Sequence, residues 1–319
     1  MSAKLYGEHR SGLEARSYTS ARQSPVMVCG WAGIGNVGLT AVSTLRRLVR
    51  AQPFGEIEPY EYFEPSRVVV RNGLIREMRF PTTRFYTHQL GDEGYERVSS
   101  PPLLLLAGEQ QPTDERKAYE MASEVLDVAE RLGCRRIYTS AASVTTIHHA
   151  ARPRVWAVPN TPTLLGEVRK YGNTILMSEV GSTNGDGLIS GLNGVLLGVA
   201  KNRGVDAVCL MGEVPYYLQA APWPYPKASI SVLEVLGSIL GMQLDMSELH
   251  EMAAKVEVNI EQTLDALAAA EELPEQVKTE IERLRKGKPP DIGPITEQEK
   301  REILEHIDDL FKGETGNES

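Results

Sequence analysis

The 319-residue sequence has few cysteines and few aromatic residues. Its three cysteines are Cys29, Cys134 and Cys209, and no two of them form a C-x-x-C pair. This number and spacing argue against a disulfide framework and against a structural zinc site. We therefore expect reduced, buried thiols in a cytoplasmic protein that holds no metal and no cofactor.

Long hydrophobic runs and an excess of basic residues are also missing. The longest compact apolar run, Leu103–Ala107, is far shorter than the roughly 20 residues that cross a bilayer. Lys and Arg number 34 against 43 Asp and Glu, so the formal net charge is -9. An acidic surface repels a polyphosphate backbone. We expect neither a nucleic acid nor a membrane as partner, although a local pocket for one small anion is compatible with this charge.

The chain divides into four regions. Residues 1–24 form a polar leader without the apolar stretch of a signal peptide. In residues 25–245, short apolar runs alternate with helical patterns, which predicts a mostly parallel sheet covered by helices. Residues 246–312 are predicted to be helical, and residues 313–319 to be a frayed tail. The fold class is therefore α/β with a helical C-terminal appendage.

Two local patterns predict particular elements. Asn72-Gly73 between two apolar runs is typical of a β-hairpin turn. Apolar residues recur at three- and four-residue steps from Leu249 to Leu267, which predicts one long amphipathic helix. Thr296-x-x-Glu299 resembles a capping box, and it precedes a final acidic helix. The apolar residues of that final helix are Ile303, Ile307, Leu310 and Phe311.

The sharpest motif is a glycine-rich loop between a strand and a helix. Gly33, Gly35 and Gly38 spell G-x-G-x-x-G, a pattern that can place a pyrophosphate against backbone N–H groups. Glu56, Glu58 and Glu61 lie near the distance of a ribose-binding acid. However, Pro53–Phe63 does not have the pattern of a clean second parallel strand. NAD binding is therefore our third hypothesis, and the alternative is a tight turn that needs glycine for packing.

The same loop resembles that of the proteasome assembly chaperone family of the second-subunit type, in its archaeal and bacterial branch. Ala32 stands where that family usually has proline. A longer match runs from Asp186 through the glycine-punctuated stretch Gly191–Lys201 to Met211-Gly212-Glu213. A third block begins at Pro226-Lys227-Ala228 and ends near Gly241. The resemblance covers residues 25–245, most weakly in residues 55–111.

The resemblance implies a three-layer α/β/α sandwich, similar to purine nucleoside phosphorylases and peptidyl hydrolases, in a homo-oligomer. It also implies a role in protein contacts, with the chain itself or another protein complex as partner. Members that dock on proteasomes can end in a hydrophobic-Tyr-x tail, whereas this sequence ends in Gly316-Asn317-Glu318-Ser319. We expect no docking through such a tail.

Ligands of open α/β sheets gather at the carboxyl ends of the strands. Polar and glycine residues predicted at that edge would suit a sugar, a nucleoside or a phosphate, and they define a candidate cleft. No paired nucleophile and base is visible, and neither His148 nor His149 can be assigned to Ser140 or Ser143 from sequence. The candidate ligand-binding residues are Gly30, Trp31, Gly33, Gly35, Asn36, Glu109, Ser140, Asn160, Asp186 and Glu213.

Two segments are candidates for contacts between subunits. The loop Pro215–Pro226 has four prolines and four aromatic residues, which offer a large contact area at low entropic cost. The long amphipathic helix would expose its apolar stripe unless it packs on the body or on another subunit, and we favour the second use. The candidate interface residues are Trp31, Tyr216, Tyr217, Trp223, Leu249, Met252 and Val256.

Three functional hypotheses are compatible with these patterns. The first is a homo-oligomeric cytoplasmic protein that acts by protein–protein contacts. The second is a phosphorylase- or hydrolase-like enzyme that binds a nucleoside or a phosphate-containing small molecule at the strand-end cleft. The third is an NAD-binding protein. The sequence leaves open whether the protein is an enzyme.

Overall fold

A computed structural model describes residues 3–5, 24–65, 67–88, 100–179, 186–269 and 275–286. Most of the predicted leader and all of the predicted final helix lie outside these residues. Within them, the chain forms a nine-stranded sheet covered by helices on both faces, together with a separate two-stranded hairpin. The three-layer α/β/α prediction is therefore confirmed.

The large sheet has the strand order β1-β3-β6-β7-β2-β8-β11-β9-β10. Its four central strands, β7, β2, β8 and β11, are mutually parallel. The strands of the chain are β1 (Ala3–Leu5), β2 (Val26–Trp31), β3 (Gln52–Ile57), β4 (Arg67–Arg71), β5 (Leu74–Arg79), β6 (Thr83–His88), β7 (Leu103–Gly108), β8 (Arg136–Thr145), β9 (Val155–Pro159), β10 (Thr174–Leu176) and β11 (Asp206–Pro215).

The prediction of a mostly parallel sheet was wrong, because half of the strand pairs are antiparallel. β6 runs antiparallel to β7 and to β3, and β9 runs antiparallel to β11. Sequence reasoning missed β3 and β6 because their polar residues, together with Pro53, obscure the strand pattern. Because β9 is antiparallel to β11, Asn160 at its carboxyl end lies beside the start of β11.

Two helical layers cover the sheet. Helices α2 and α4 lie on one face, over Met27, Cys29 and Leu106. The other face is covered by α1, α3, α5, α6 and α7, over Val28, Leu105 and Leu210. The helices are α1 (Val37–Leu48), α2 (Glu115–Arg131), α3 (Pro162–Val168), α4 (Gly191–Asn202), α5 (Pro226–Leu240), α6 (Ser247–Ala269) and α7 (Glu275–Arg285).

Local chemistry sets several helix ends. Asp114 caps α2, because its carboxylate accepts a hydrogen bond from the backbone N–H of Lys117 at 2.8 Å. Gly241 ends α5 in the left-handed conformation, with φ +66°. α4 begins at Gly191, and Leu188 lies outside the helix and is exposed.

The predicted β-hairpin is confirmed, and it stands apart from the main sheet. β4 and β5 pair only with each other, as an antiparallel two-stranded sheet. Asn72 and Gly73 have φ values of +55° and +73°, the two positive angles that a type I′ turn requires. The hairpin follows β3 and precedes β6, so it emerges at the edge of the sheet where β7 ends.

The long amphipathic helix α6 packs on its own subunit. Leu249, Ala253 and Ile260 are buried in the core on the α5 side of the sheet, and Val256 is half-buried against it. The shorter helix α7 adds Val277 to the buried part of the molecule. Leu249 and Val256 therefore pack on the body of their own chain rather than forming an exposed stripe. Met252 stays 38% exposed, and its contact with another subunit remains a prediction.

Candidate functional site

The glycine-rich loop directly follows β2 and is closed by the chain's own residues. Gly35 and Asn36 both have positive φ, +55° and +48°, so the backbone turns sharply into α1. A Cβ atom on Gly35 would lie 2.9 Å from Cβ of Tyr225. The backbone N–H of Tyr225 donates to the carbonyl of Gly35 at 2.7 Å. This contact fastens the start of α5 to the loop.

Two further glycines of the motif allow close approach of backbones. A Cβ atom on Gly38 would overlap the carbonyl oxygen of Ser140 on β8, and one on Gly30 would overlap the carbonyl oxygen of Gly38. The helix α1 therefore packs against β2 and β8 at a distance that only glycine permits. In this protein Gly30, Gly35 and Gly38 have packing roles.

Gln111 closes the other side of the loop. Its Nε2 donates to the carbonyl of Ala32 at 2.9 Å, and its Oε1 accepts from the backbone N–H of Leu192 at 2.8 Å. The glycine loop is thereby tied to the start of α4. Trp31 is 2% exposed, and its indole lies over Gly108, where a Cβ atom would overlap the ring. Trp31 is thus a core residue rather than an exposed anchor.

Two N–H groups of the loop already have protein acceptors. Ala32 donates to the carbonyl of Gly108 at 3.0 Å, and Asn36 donates to the carbonyl of Gly33 at 2.8 Å. Gly33 and its neighbour Ile34 are the exposed residues at the tip. An anion at this loop would therefore meet fewer free donors than a G-x-G-x-x-G fingerprint suggests.

Glu213 has all the polar partners that its buried carboxylate needs. Arg154 donates to Oε2 through its backbone N–H at 2.9 Å and through Nε at 3.1 Å, and to Oε1 through Nη2 at 3.0 Å. The indole N–H of Trp156 donates to Oε1 at 3.1 Å. The side chain is fully buried. Glu213 therefore joins β11 to β9 and offers no free oxygen to a ligand, which corrects its assignment to the cleft.

The prediction for Asn160 was wrong, because β9 is antiparallel to β11. Its carboxyl end lies at the opposite edge of the sheet, beside the start of β11. There Asn160 accepts from the backbone N–H of Ala207 at 2.9 Å and donates to the carbonyl of Val205 at 2.8 Å. It joins two chain segments far from the glycine loop.

The other cleft candidates do not converge on one site. Ser140 is buried in the middle of β8, level with Gly30. Glu109 is exposed, and its carboxylate accepts from the backbone N–H of Thr82 at 3.0 Å, beside the base of the hairpin. Asp186 is exposed ahead of α4. The neighbouring Asn184 and Gly185 lie outside the described residues.

The aromatic loop folds onto the chain's own helices. Tyr216 and Tyr217 are buried with their rings edge to face, 5.3 Å apart, and Trp223 is half-buried. Burial raises the pKa of both tyrosines above the ordinary value. These residues are anchors within the subunit, which corrects their assignment to an exposed interface.

A polar cluster that sequence reasoning missed connects this loop to α6. The hydroxyl of Tyr217 lies 2.8 Å from Nδ1 of His149 and accepts from the His149 backbone N–H at 3.0 Å. Nε2 of His149 lies 2.8 Å from Oε1 of Glu261. In this geometry Nδ1 can accept a hydrogen bond from the Tyr217 hydroxyl while Nε2 donates one to Glu261. The hydrogen bond from His149 lowers the pKa of Glu261.

Lys227 and His148 complete this cluster. The Lys227 ammonium donates to the carbonyl of His149 at 2.9 Å and to Oε2 of Glu257 on α6 at 3.0 Å. His148 stacks on His149 with ring centroids 4.1 Å apart, and its Nδ1 accepts from the backbone N–H of Ala150 at 3.1 Å. Burial and the neighbouring His149 lower the pKa of His148 to about 4. The cluster fixes α6 to the body; no sequence signal marks it, because its members are far apart in the chain.

One groove brings together three of the predicted residues. Asn36, Leu249 and Met252 line a groove of about 440 Å³ between α1 and the start of α6. Arg46, Arg47 and Glu248 supply its charged groups, and Arg47 forms an ion pair with Glu248. The groove therefore carries little unpaired charge at that end.

The topology also bears on the NAD hypothesis. In a dinucleotide fold, the strand after the first helix lies next to the first strand. Here β6 and β7 separate β3 from β2. Glu56 pairs with Arg84, and Glu58 pairs with Lys4. Glu56 and Glu58, two of the three acids that were candidates for a ribose contact, are therefore engaged at the edge of the sheet, away from the loop.

Other chemistry is limited in the part of the chain that the structure describes. Burial raises the pKa of all three thiols, to about 12 for Cys134 and about 11 for Cys209, so they remain protonated and unreactive at neutral pH. No group of three or more metal-ligating side chains occurs among the described residues. None of the described helices is both long enough and apolar enough for a bilayer span.

Comparisons with known proteins agree with this fold. The model of the PAC2 family matches residues 27–264. An uncharacterized protein of Methanocaldococcus jannaschii, MJ1210, is 26% identical over 241 residues, which cover 75% of this chain and 83% of that protein. The family match extends from β2 through most of α6.

Two solved structures have the same architecture. PbaB of Pyrococcus furiosus, described as an archaeal proteasome activator, superposes with a TM-score of 0.64 at 24% identity, over 82% of this chain and 98% of PbaB. A PAC2 family protein of Streptomyces avermitilis superposes with a TM-score of 0.60 at 24% identity, over 77% of this chain and 98% of that one. The family match covers well over half of the sequence, and the chain belongs to the PAC2 family, which includes proteasome assembly chaperone homologues.

Proposed function

We propose that this protein is a cytoplasmic homo-oligomer that acts by contacts of its folded surface with other protein chains, as an assembly factor for a multisubunit complex of the proteasome type. Membership of the PAC2 family and the similarity to an archaeal proteasome activator and to a proteasome assembly chaperone homologue support this class of role. The three buried thiols suit a reducing compartment.

One observation carries the proposal. The residues that the sequence pattern placed in a ligand cleft are largely engaged with the chain itself: Tyr225 covers Gly35, Gln111 covers Ala32, and Arg154 neutralises Glu213. Small-molecule sites instead keep a few polar groups free and convergent in a concave pocket. Among the described candidates, only Trp31 Nε1 and Ser140 Oγ are buried without a hydrogen-bond partner, and neither side chain is exposed to a pocket. We take this arrangement to favour protein contacts over catalysis.

Sedimentation velocity tests the proposal in two steps. The chain alone is expected to sediment as a homo-oligomer whose mass is independent of concentration over the micromolar range. Mixed with the free proteasome core subunits of the organism that encodes it, it is expected to form a faster complex, whereas an equal amount of bovine serum albumin leaves its sedimentation unchanged. A monomer whose sedimentation is unchanged by the core subunits would contradict the proposal.

A further inference from the structure

The base of the β4–β5 hairpin and the neighbouring edge of the main sheet enclose a second cavity. Its volume is about 920 Å³, at the upper end of the roughly 300–1,000 Å³ that ligand pockets have. One wall is the base of the hairpin, with Arg67 and residues 77–81. The other wall belongs to the sheet, with residues 56–60, Arg84 and Glu109 at the end of β7. We call this cavity the hairpin cleft.

The hairpin cleft is separate from the glycine loop. Among its described lining residues, none belongs to that loop, and Glu109 is the one ligand-binding candidate from the sequence. The lining is more polar than apolar. Charges and hydrogen bonds therefore decide what the cleft can hold, whereas the space around the glycine loop is filled by the chain itself.

Three ion pairs engage most of the charged side chains at the cleft. Each pair forms on one wall, with nitrogen–oxygen distances of 2.6–3.4 Å. The pairs are Arg84–Glu56 and Lys4–Glu58 on the sheet side and Arg79–Glu77 on the hairpin. These six groups compensate one another, so they contribute little net charge to a ligand in the cleft.

Two charged groups, one on each wall, have no ion pair in the part of the chain that the structure describes. Arg67 is exposed, and it lies directly across from Arg79, a like charge that favours an anion beside both. Glu109 accepts from the backbone N–H of Thr82 through Oε2 at 3.0 Å, and its Oε1 has no hydrogen-bond donor among the described residues. The cleft thus offers a ligand one guanidinium and one carboxylate oxygen.

An exposed aromatic ring stands beside these charges. Tyr60 is 64% exposed on the sheet wall, and its ring packs edge to face on Phe80, with centroids 4.7 Å apart. Pro59 and Pro81 flank the two aromatic residues and restrict their backbone. A tyrosine held in this way offers contact area at low entropic cost, as the anchor residues of protein interfaces do.

These features restrict the class of ligand. Four carboxylates in the lining repel a nucleic acid or another polyanion, and three guanidiniums repel a purely cationic ligand. Arg67 donates to a carboxylate, and Glu109 accepts from an ammonium or a guanidinium group. Tyr60 adds an apolar contact. A polypeptide segment that carries both acidic and basic side chains satisfies all three groups.

We propose that the hairpin cleft is the docking site for a segment of a partner protein that carries acidic and basic side chains. Arg67 binds a carboxylate of that segment, Glu109 binds a basic side chain, and Tyr60 contacts an apolar part. This inference rests on the proposed function, since the partner is the protein complex with which this chain assembles.

Charge reversal on each wall tests the site with the same proteasome core subunits. Arg67→Glu and Glu109→Lys are each expected to raise the Kd for these subunits at least about tenfold, because each sets a like charge against the group it held. Arg71→Glu and Glu251→Lys are the matched controls. Arg71 lies on the same side of the hairpin as Arg67 but outside the cleft, and Glu251 is exposed on α6. Both controls should leave the Kd within about twofold.

The outcomes separate this inference from the proposed function. A wild-type chain that forms no complex would contradict both. A complex that neither reversal weakens would contradict the inference alone. Equal losses in the controls would show that net charge rather than the cleft sets the affinity, and would also overturn it.

Urea unfolding supplies a second readout that needs no partner. If Arg67 and Glu109 are available to a ligand, the effects of Arg67→Ala and Glu109→Ala on the free energy of unfolding are expected to add in the double variant. A coupling between the two substitutions would mean that the two charges pair with each other across the cleft. The site would then be closed by the chain itself, which would overturn the proposal.

Discussion

The glycine loop and the β4–β5 hairpin differ in how conspicuous their sequence motifs are and in how exposed their side chains are. The loop carries the most conspicuous motif in the sequence, yet Tyr225, Gln111 and Ser140 fill the space around it. The hairpin is marked only by an Asn-Gly turn, yet it presents four apolar side chains to solvent. Glycine in this loop serves close packing, and the exposed apolar side chains lie on the element with the less conspicuous sequence.

The largest expected effect is at Gly38. Gly38→Ala places a Cβ atom against the carbonyl oxygen of Ser140, which is backbone and cannot move aside without displacing β8. We expect a loss of about 3 kcal/mol in the free energy of unfolding, measured by urea denaturation. Gly198→Ala in α4 is the matched control, because no atom lies within 4 Å of its new Cβ. The control should be neutral or stabilised by up to about 1 kcal/mol, and similar losses in both variants would refute the packing role.

The second-largest loss of stability is expected from substitution of Glu213. Glu213→Ala removes the acceptor of Arg154 and Trp156 from a fully buried position, so we expect a loss of about 2–3 kcal/mol in unfolding free energy. Glu234→Ala breaks an exposed ion pair with Arg152 and is expected to cost less than about 0.5 kcal/mol. A ligand role for Glu213 would instead predict a variant of unchanged stability.

The buried His148 makes stability fall as the pH falls. In the unfolded chain the imidazole is protonated below its ordinary pKa of 6.5, whereas in the fold it stays neutral down to about 4. The unfolded state therefore binds more protons in this window, and up to about 3 kcal/mol is lost between pH 6.5 and 4. His148→Asn, which retains an acceptor for Ala150, should flatten this part of the profile. His250→Asn at an exposed site should not, and identical profiles for all three proteins would contradict the assignment.

The smallest effect is expected at the contact between α6 and the body. Glu261→Ala removes the acceptor of His149, so the second half of α6 should open more readily, by about 1 kcal/mol in its hydrogen-exchange protection. Asp265→Ala, one turn further along and exposed, should leave the protection unchanged. Unaltered exchange in the Glu261 variant would mean that apolar packing alone holds the helix.

Elements governed by local sequence could be predicted. The helices follow from apolar periodicity, the hairpin from Asn72-Gly73, and the α/β class from the alternation of short apolar runs with helical patterns. Each of these signals lies within about twenty residues of chain. The position of the glycine loop between β2 and α1 was predicted correctly because it too depends on local sequence. Its G-x-G-x-x-G pattern, however, also matches a dinucleotide site.

The features that could not be predicted from the sequence depend on contacts between residues that are far apart in the chain. Arg154 and Glu213 are 59 residues apart, and their pairing accompanies the antiparallel direction of β9 that displaced Asn160 to the other edge. His149 and Glu261 are 112 residues apart, so adjacent histidines in the sequence gave no hint of their partner on α6. Burial of Tyr216 and Tyr217 likewise follows from the packing of α6 and α7, which composition alone does not reveal.

Thermal unfolding with small ligands tests most directly the claim that the glycine loop packs the fold rather than binding a substrate. Nucleosides, phosphate, ATP and NAD would each be added at millimolar concentration. A specific ligand at 100 times its Kd would stabilise the protein by about 2.7 kcal/mol. We predict no saturable shift of the Tm with any of them. A saturable shift that disappears in Gly33→Val, at the exposed tip of the loop, would contradict the packing role.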